Sequence, residues 1–138
     1  MKNQIDPAEF VPPVAKLIGM RAVSFDEGRA VLELDADARH TNPMGTLHGG
    51  ILCDLADLAM GCACYTTLEP GETFTTLELK INFLKPVWSG RVTAHAQVRK
   101  GGRTTALLDC EVRDEKESLV AFATSTCLIL RGEMAKGR

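Results

Sequence analysis

The stretch Gly49-Gly50-Ile51-Leu52-Cys53-Asp54-Leu55-Ala56-Asp57-Leu58-Ala59-Met60-Gly61-Cys62-Ala63-Cys64-Tyr65 decides how the rest of the chain is read. Its apolar residues, among them Leu52, Leu55, Ala56, Ala59, Met60 and Ala63, fall nearly all round a 3.6-residue turn. Small residues are many and β-branched ones few. The pattern predicts a helix from Gly49 to about Thr67 that is buried on most of its surface, ended by Glu69-Pro70-Gly71. The run is short for a membrane span, and Asp54 and Asp57 would each be costly in lipid. Such a helix needs other elements to cover it.

The flanking sequence supplies strands. On the C-terminal side, Thr73 to Leu84 alternates, with Leu77, Leu79, Ile81 and Phe83 on one face and Glu78, Lys80 and Asn82 on the other. The same alternation places Thr75 on the core face and Thr76 on the polar face. Arg91 to Lys100 puts Val92, Ala94, Ala96 and Val98 on one face, and Gly101-Gly102 reads as a hairpin turn. Thr104 to Val112 and Ser118 to Leu130 follow, joined by a charged turn. On the N-terminal side, Met20 to Phe25 and Ala30 to Asp35 form a hairpin about Asp26-Glu27-Gly28. Asp6 to Leu17 is predicted as a short helix, with Asp6 as N-cap, Pro7 in the first turn, and Pro12-Pro13 kinking or interrupting it. One apolar helix laid against an antiparallel sheet is an α+β arrangement, and a sheet wrapped round a single central helix is the hotdog architecture.

The 138 residues fit a single domain over positions 1–138, with its core from about 10 to 130 and a loose tail from Arg131 to the end. The formal net charge of −2 gives no overall field to attract nucleic acid or an anionic membrane, so neither is expected as a partner. The five cysteines, Cys53, Cys62, Cys64, Cys110 and Cys127, are odd in number and contain no Cys-x-x-Cys pair. That argues against a disulfide framework or a zinc ribbon, and for reduced thiols in a cytoplasmic protein. No basic region followed by an apolar run marks a signal peptide at the start.

The segment Asn42-Pro43-Met44-Gly45-Thr46-Leu47-His48-Gly49-Gly50, with Asp57 nine residues after His48, resembles the PaaI-type hotdog acyl-CoA thioesterases of the phenylacetate-pathway-like family. Leu79-Lys80-Ile81-Asn82-Phe83-Leu84-Lys85-Pro86-Val87 is similar to their third strand. The resemblance runs from about Phe10 to Leu130. It implies hydrolysis of an acyl-CoA thioester to a free acid and CoA, with CoA as part of the substrate, no further cofactor and no metal. It also implies that the Gly49 amide binds the developing oxyanion and that Asp57 acts as general base or nucleophile. Asn42, His48 and Thr76 would be accessory site residues, and the active unit would be a homodimer, with dimers pairing into a homotetramer. An aspartate at position 57 resembles the phenylacetate branch, which implies an aryl-acetyl or medium-chain acyl group.

The residues themselves leave some of these roles open. Two glycines at a helix start bare the first-turn amides, which lack intrahelical acceptors and sit at the positive end of the dipole. They equally permit close packing of the helix start. A carboxylate inside an apolar helix is costly unless it is paired, hydrated or functional, and Asp57 fits each case; Asp54, one turn earlier, is read as a partner-seeking charge. Asn42 before Pro43 is either a water-orienting group or an Asx turn. His48 can cap the helix, and Thr75 competes with Thr76. For the CoA moiety, Gly50 of the helix start is one candidate contact. Arg99, Lys100 and Arg103 about the Gly101-Gly102 turn form a basic hairpin end suited to phosphates, or simply a solvated turn; Lys85 and Arg91 could contribute. Met60, Cys64, Leu68 and Phe83 are candidates for shaping an acyl pocket. Cys53 inside the helix reads as inert packing, and His40 and His95 as loop and outward strand residues. Two other uses of the fold compete: a non-catalytic acyl-CoA sensor or carrier, and a hydratase, which needs a different Asp/His arrangement.

Helix geometry adds one constraint. Nine residues at about 100° each set Asp57 roughly 180° round the axis from His48 and about 13 Å along it. One helix can hardly bring Gly49 and Asp57 to the same carbon, whereas two antiparallel helices at a two-fold interface can.

Overall fold

The structure, a computed structural model, describes residues 2–138. Its centre is helix α2, Gly49–Tyr65, with Leu52, Leu55, Ala56, Ala59, Met60 and the run Gly61–Cys64 all buried. Six strands wrap round it: β1 (Met20–Asp26), β2 (Arg29–Ala36), β3 (Thr73–Phe83), β4 (Gly90–Gly101), β5 (Thr105–Asp114) and β6 (Leu119–Leu130). They form one sheet in the order β1-β2-β4-β5-β6-β3, and every neighbouring pair is antiparallel. The chain therefore leaves β2, passes through α2, and re-enters the sheet at its opposite edge as β3. This is the hotdog fold.

The inner face shows why the sheet closes on the helix. Leu32, Leu34, Val92, Ala94, Leu108, Cys110 and Val112 are wholly or almost wholly buried. On β6 the inward positions are Ala121, Ala123, Ser125 and Cys127. These are small, and the one hydroxyl among them donates to the Met60 sulfur at 3.4 Å. Alternation along β2, β4 and β6 matches the sequence pattern.

Two elements depart from it. The N-terminal helix α1 is Pro13–Ile18, not a helix from Asp6. Asp6 accepts the Ala8 amide at 2.9 Å, which makes an isolated turn and nothing longer. Pro12 and Pro13 lack amide protons and bias the residue before each away from helical angles, so the helix begins at Pro13. Gly19 ends it at φ 96°, a left-handed cap. Residues 2–12 instead form a strap. The Asn3 amide donates to the Leu68 carbonyl at 2.8 Å, Ile5 and Phe10 pack on the core, and the Phe10 ring meets Phe25 edge-on at 5.3 Å.

The second departure is in β3. Thr76 pairs with Cys127 and Glu78 with Thr126, so Leu77 is an extra residue in a bulge. A bulge reverses the phase of alternation. Leu79 and Ile81 pack against the core, while Leu77 is 56% exposed. Thr76, expected on the polar face with Glu78, points inward to the helix, and Thr75 takes the other face. Arg131, at the head of the tail expected to be loose, bonds Glu72 and the Arg103 carbonyl, and Gly132–Ala135 forms a 3-10 turn.

Because α2 carries the core, truncating one of its fully buried side chains should be costly. Leu55→Ala should lower unfolding free energy by about 2–5 kcal/mol, read from the urea midpoint; a loss below about 1 kcal/mol would mean that α2 is not the centre of the core.

Candidate active site

The loop before α2 is held by a buried histidine. His40 Nδ1 accepts the Asp37 amide at 3.1 Å, and Nε2 lies 2.7 Å from the Ile18 carbonyl. This fixes the tautomer with the proton on Nε2, donating to Ile18. The His40 carbonyl then accepts the His48 amide at 2.8 Å, and Leu47 donates to the Val87 carbonyl at 2.7 Å. His40, expected as a plain loop residue, thus ties the start of α2 to α1. Asp37 caps the same 3-10 turn, Ala38–His40. Hydrogen bonds from the Arg39 side chain, then from its backbone amide, hold the Asp37 carboxyl down to about 2.

Asn42 closes the next turn on itself. Its Oδ1 accepts the Met44 and Thr46 amides at 3.0 and 3.1 Å, and its Nδ2 donates to the Thr46 hydroxyl at 2.8 Å. That is an Asx turn at Asn-Pro, with one amide proton left to offer.

His48 is the N-cap of α2. Its Nδ1 accepts the Gly50 amide at 2.8 Å, so that amide is engaged. The Gly49 amide has no acceptor among the described residues. It stands bare at the positive end of a 17-residue helix. Close packing contributes here too: a Cβ on Gly49 would lie 2.8 Å from the Phe83 ring. Glycine at 49 thus makes room for the Phe83 ring while its own amide stays without an acceptor among the described residues.

Asp57 lies exposed on α2, and the Thr76 hydroxyl donates to its Oδ1 at 3.1 Å. Thr76 also sits 3.9 Å from the Cys127 sulfur. One carboxylate oxygen is thereby oriented and the other is left open. Asp54 is different: burial, then the charge of Asp57, pushes its carboxyl up. Cys53 is raised by burial, then by Asp54 and Asp57, which makes it a poor nucleophile. Gly49 and Asp57 are eight residues apart on one straight helix, about 12 Å along its axis.

Beside Asp57 opens an apolar cleft of about 490 Å³. Its floor is a stripe of α2: Asp57, Leu58, Gly61, Cys62 and Tyr65. Phe74 and Thr76 of β3 form one side, and Ile5, Phe10 and Pro12 of the strap form the other. The expected pocket residues do not line it. Met60, Cys64 and Leu68 are buried in the core, and Phe83 lies over Gly49. The floor was legible in principle as positions i, i+1, i+4, i+5 and i+8 of one helix; the strap side was not.

At the β4–β5 turn, Arg99 is paired with Asp109. The Gly102 amide is spent on the Thr105 carbonyl at 2.8 Å. Lys100 and Arg103 are exposed, and neither side chain has an acid partner among the described residues. Lys85 bonds Asp114 at 2.7 Å, and Arg91 lies 3.7 Å from Glu33 and Asp35. Among the described residues, no helix is long and apolar enough to cross a membrane.

The profile of the thioesterase superfamily matches residues 44–121, more than half of the chain. This chain belongs to the thioesterase superfamily. It is 36% identical over 109 residues to the acyl-coenzyme A thioesterase PaaI of Escherichia coli, covering 78% of this chain and 76% of that protein. It is 32% identical over 112 residues to a 1,4-dihydroxy-2-naphthoyl-CoA hydrolase of Listeria monocytogenes, covering 81% and 91%. Among solved structures, a thioesterase from Haemophilus influenzae superposes with a TM-score of 0.89 at 27% identity, covering 94% of each chain. The Escherichia coli PaaI structure superposes with a TM-score of 0.82 at 33% identity, covering 88% of this chain and 86% of that one. The protein is a PaaI-like thioester hydrolase.

The Asp37 cap yields a pH prediction. Its folded pKa lies below the ordinary carboxylate value of about 3.9, so its contribution is complete above that value and fades as pH falls toward 2. Asp37→Ala should be less stable than wild type at neutral pH, and the gap should shrink as pH falls from about 4 through 2. Denaturation curves at neutral pH and across that range check this; a gap independent of pH would remove the charge from the account.

Proposed function

We propose that the enzyme hydrolyses an aryl- or medium-chain acyl-CoA to the free acid and CoA. One observation carries this: an exposed carboxylate, Asp57, oriented by the Thr76 hydroxyl, at the mouth of an apolar cleft. The reactive carbonyl needs a charged group beside it, and the acyl group needs a dry place to lie. Asp57 offers the first and the cleft the second. The relatives' activities toward acyl-CoA and naphthoyl-CoA thioesters agree with this reading.

Asp57 acts in one of two ways. As a base it takes a proton from water, which adds to the thioester carbon; the tetrahedral oxyanion collapses, and the CoA sulfur leaves as a thiol after accepting the proton. As a nucleophile its carboxylate adds to the carbonyl carbon and the C–S bond breaks, CoA leaving as a thiolate that takes a proton from water; the resulting acyl-aspartyl anhydride is then cleaved by water to the free acid and the restored carboxylate. In both routes the Gly49 amide stabilises the oxyanion. Asn42 keeps one amide proton, from Nδ2, with which to hold the water or the thioester. His48 acts by keeping the helix start rigid. Lys100 and Arg103, exposed and without an acid partner among the described residues, would take the CoA phosphates.

Gly49 and Asp57 would come from different protomers. Their separation along one helix supports this. So does β3, an edge strand of 11 residues with Leu77 and Phe83 both more than half exposed. A long edge with exposed apolar side chains favours pairing with another chain. The working unit is therefore a homodimer with two equivalent sites, able to pair into a tetramer.

Three variants test the scheme. Asp57→Ala should lose turnover of benzoyl-, phenylacetyl- and straight-chain acyl-CoAs by at least about 10²-fold; equal rates across the panel would remove Asp57 from the mechanism. Gly49→Pro deletes the amide at a helical position that tolerates proline, and Gly49→Ala adds the same Cβ while keeping the amide. The proline variant should be slower than the alanine variant by about 10²–10³-fold in kcat. Mixed dimers of Asp57→Ala with Gly49→Pro chains should regain one working site of two. Mixed dimers as inactive as either parent would place both groups on one chain. A single turnover in heavy-oxygen water that leaves label on Asp57 establishes the nucleophile route, with water attacking the aspartyl carbonyl.

A further inference from the structure

The interior behind Asp57 is not purely apolar. Thr76 and Cys127 face each other across β3 and β6, beside the Leu77 bulge, and both side chains turn inward. Behind Cys127 lies Cys64 of α2, hydrogen-bonded to it, and both thiols are fully buried. Cys64 follows Asp57 by seven residues, so the two sit within about 20° of each other round the helix and about 10 Å apart along it. Asp57, Thr76, Cys127 and Cys64 thus form one row that leaves α2 at Asp57 and returns to it two turns later.

The direction of the bonds is fixed from the carboxylate end. An ionised Asp57 only accepts, so the single Thr76 proton goes to its Oδ1 at 3.1 Å. The Thr76 oxygen is left to accept. The Cys127 sulfur, 3.9 Å away, is within reach of a thiol hydrogen bond, and no other side chain among the described residues donates to Thr76. Ser125, the neighbouring inward residue of β6, sends its own proton to the Met60 sulfur. Cys127 in turn accepts from Cys64: that bond, before burial, raises the Cys64 thiol, and the same bond lowers Cys127.

We infer that Cys127 is a positioning residue for the hydrolysis: backed by Cys64, it donates to the Thr76 oxygen and so fixes the hydroxyl that holds Asp57. This rests on the reading of Asp57 above as the reacting carboxylate. A hydroxyl proton rotates freely unless its oxygen is engaged. A bond received on the Thr76 oxygen leaves its own proton one direction, toward Oδ1, and strengthens the bond made there. Oδ1 is then held and Oδ2 stays free for the water or the thioester carbon. Both thiols are buried, so bulk water does not replace a lost donor. Neither thiol lines the cleft, so the substrate does not touch them. Their effect falls on the reacting step and not on binding.

The experiment measures kcat and KM for benzoyl-, phenylacetyl- and straight-chain acyl-CoAs with wild type, Cys127→Ala, Cys127→Val, Thr76→Val and the double variant Thr76→Val/Cys127→Ala, the folding of each checked by its Tm. Cys127→Ala empties the space of the thiol and Cys127→Val fills it, but both remove its proton. Each should lower kcat by about threefold to tenfold with KM unchanged. Added to Thr76→Val, Cys127→Ala should change kcat by less than about twofold. The S–H stretching band, read in the infrared under reducing conditions, should move to higher frequency in Thr76→Val, where the thiol loses its acceptor. That variant leaves Cys127 in place, so it keeps the test open if neither Cys127 variant folds. An unchanged kcat in the folded Cys127 variants, effects that multiply in the double variant, or an S–H band that Thr76→Val does not move overturns the positioning role while the thioesterase reading stands. A wild type that hydrolyses none of the panel overturns both.

Discussion

The structure depends on one constraint: a helix that is apolar almost all round has to be covered almost all round. Nine residues of α2 are buried, and no single flat layer could bury them all. The sheet meets the demand by curving. Its inward positions on β6 are alanine, serine and cysteine, while Leu32, Leu34, Leu108 and Val112 of β2 and β5 are large and fully buried, so small and large side chains together fill the space round the helix. The antiparallel order, with β3 at the edge farthest from β1, follows from a chain that must cross the sheet through the helix to continue.

The same helix then organises the site. Its start is stripped of side chains and capped by His48, so one amide is left without a partner. One stripe of it carries the exposed Asp57 and, beyond it, Leu58, Gly61, Cys62 and Tyr65, the floor of the cleft. A helix cannot turn these two features toward one point, because its pitch separates them in angle and in height. The proposed sharing of the site between two copies of the chain rests on that rigid separation. Gly49 is also a packing residue, since the Phe83 ring leaves no room for a Cβ there.

Much of this was legible in the residues. The buried helix, the hairpins and the alternation on β2, β4 and β6 are local patterns that tertiary packing reinforced. The segment from Asn42 to Gly50 and the spacing to Asp57 pointed to the thioesterase superfamily, to which the chain belongs. Where the reading missed, a nonlocal cause was at work. Strict alternation puts Thr76 on the polar face, and a single bulged residue, Leu77, shifts the register against β6 and turns it inward. The pocket residues were misjudged because Met60, Cys64 and Leu68 are as apolar as any lining residue, and only the position of the sheet shows that they lie inside it.

The sequence by itself determined the helix, the strand pattern, the bare helix start and the family, since each depends on residue types at fixed short spacings. The tertiary structure alone decided that Thr76 reaches Asp57, that His40 is buried and holds the loop, and that residues 2–12 form a wall of the cleft and not the start of a helix. Each of these is a meeting of residues far apart in the chain. Periodicity reports which face of its own element a side chain takes; what stands opposite that face is set by register, by bulges and by prolines that release the backbone to pack where apolar surface remains uncovered.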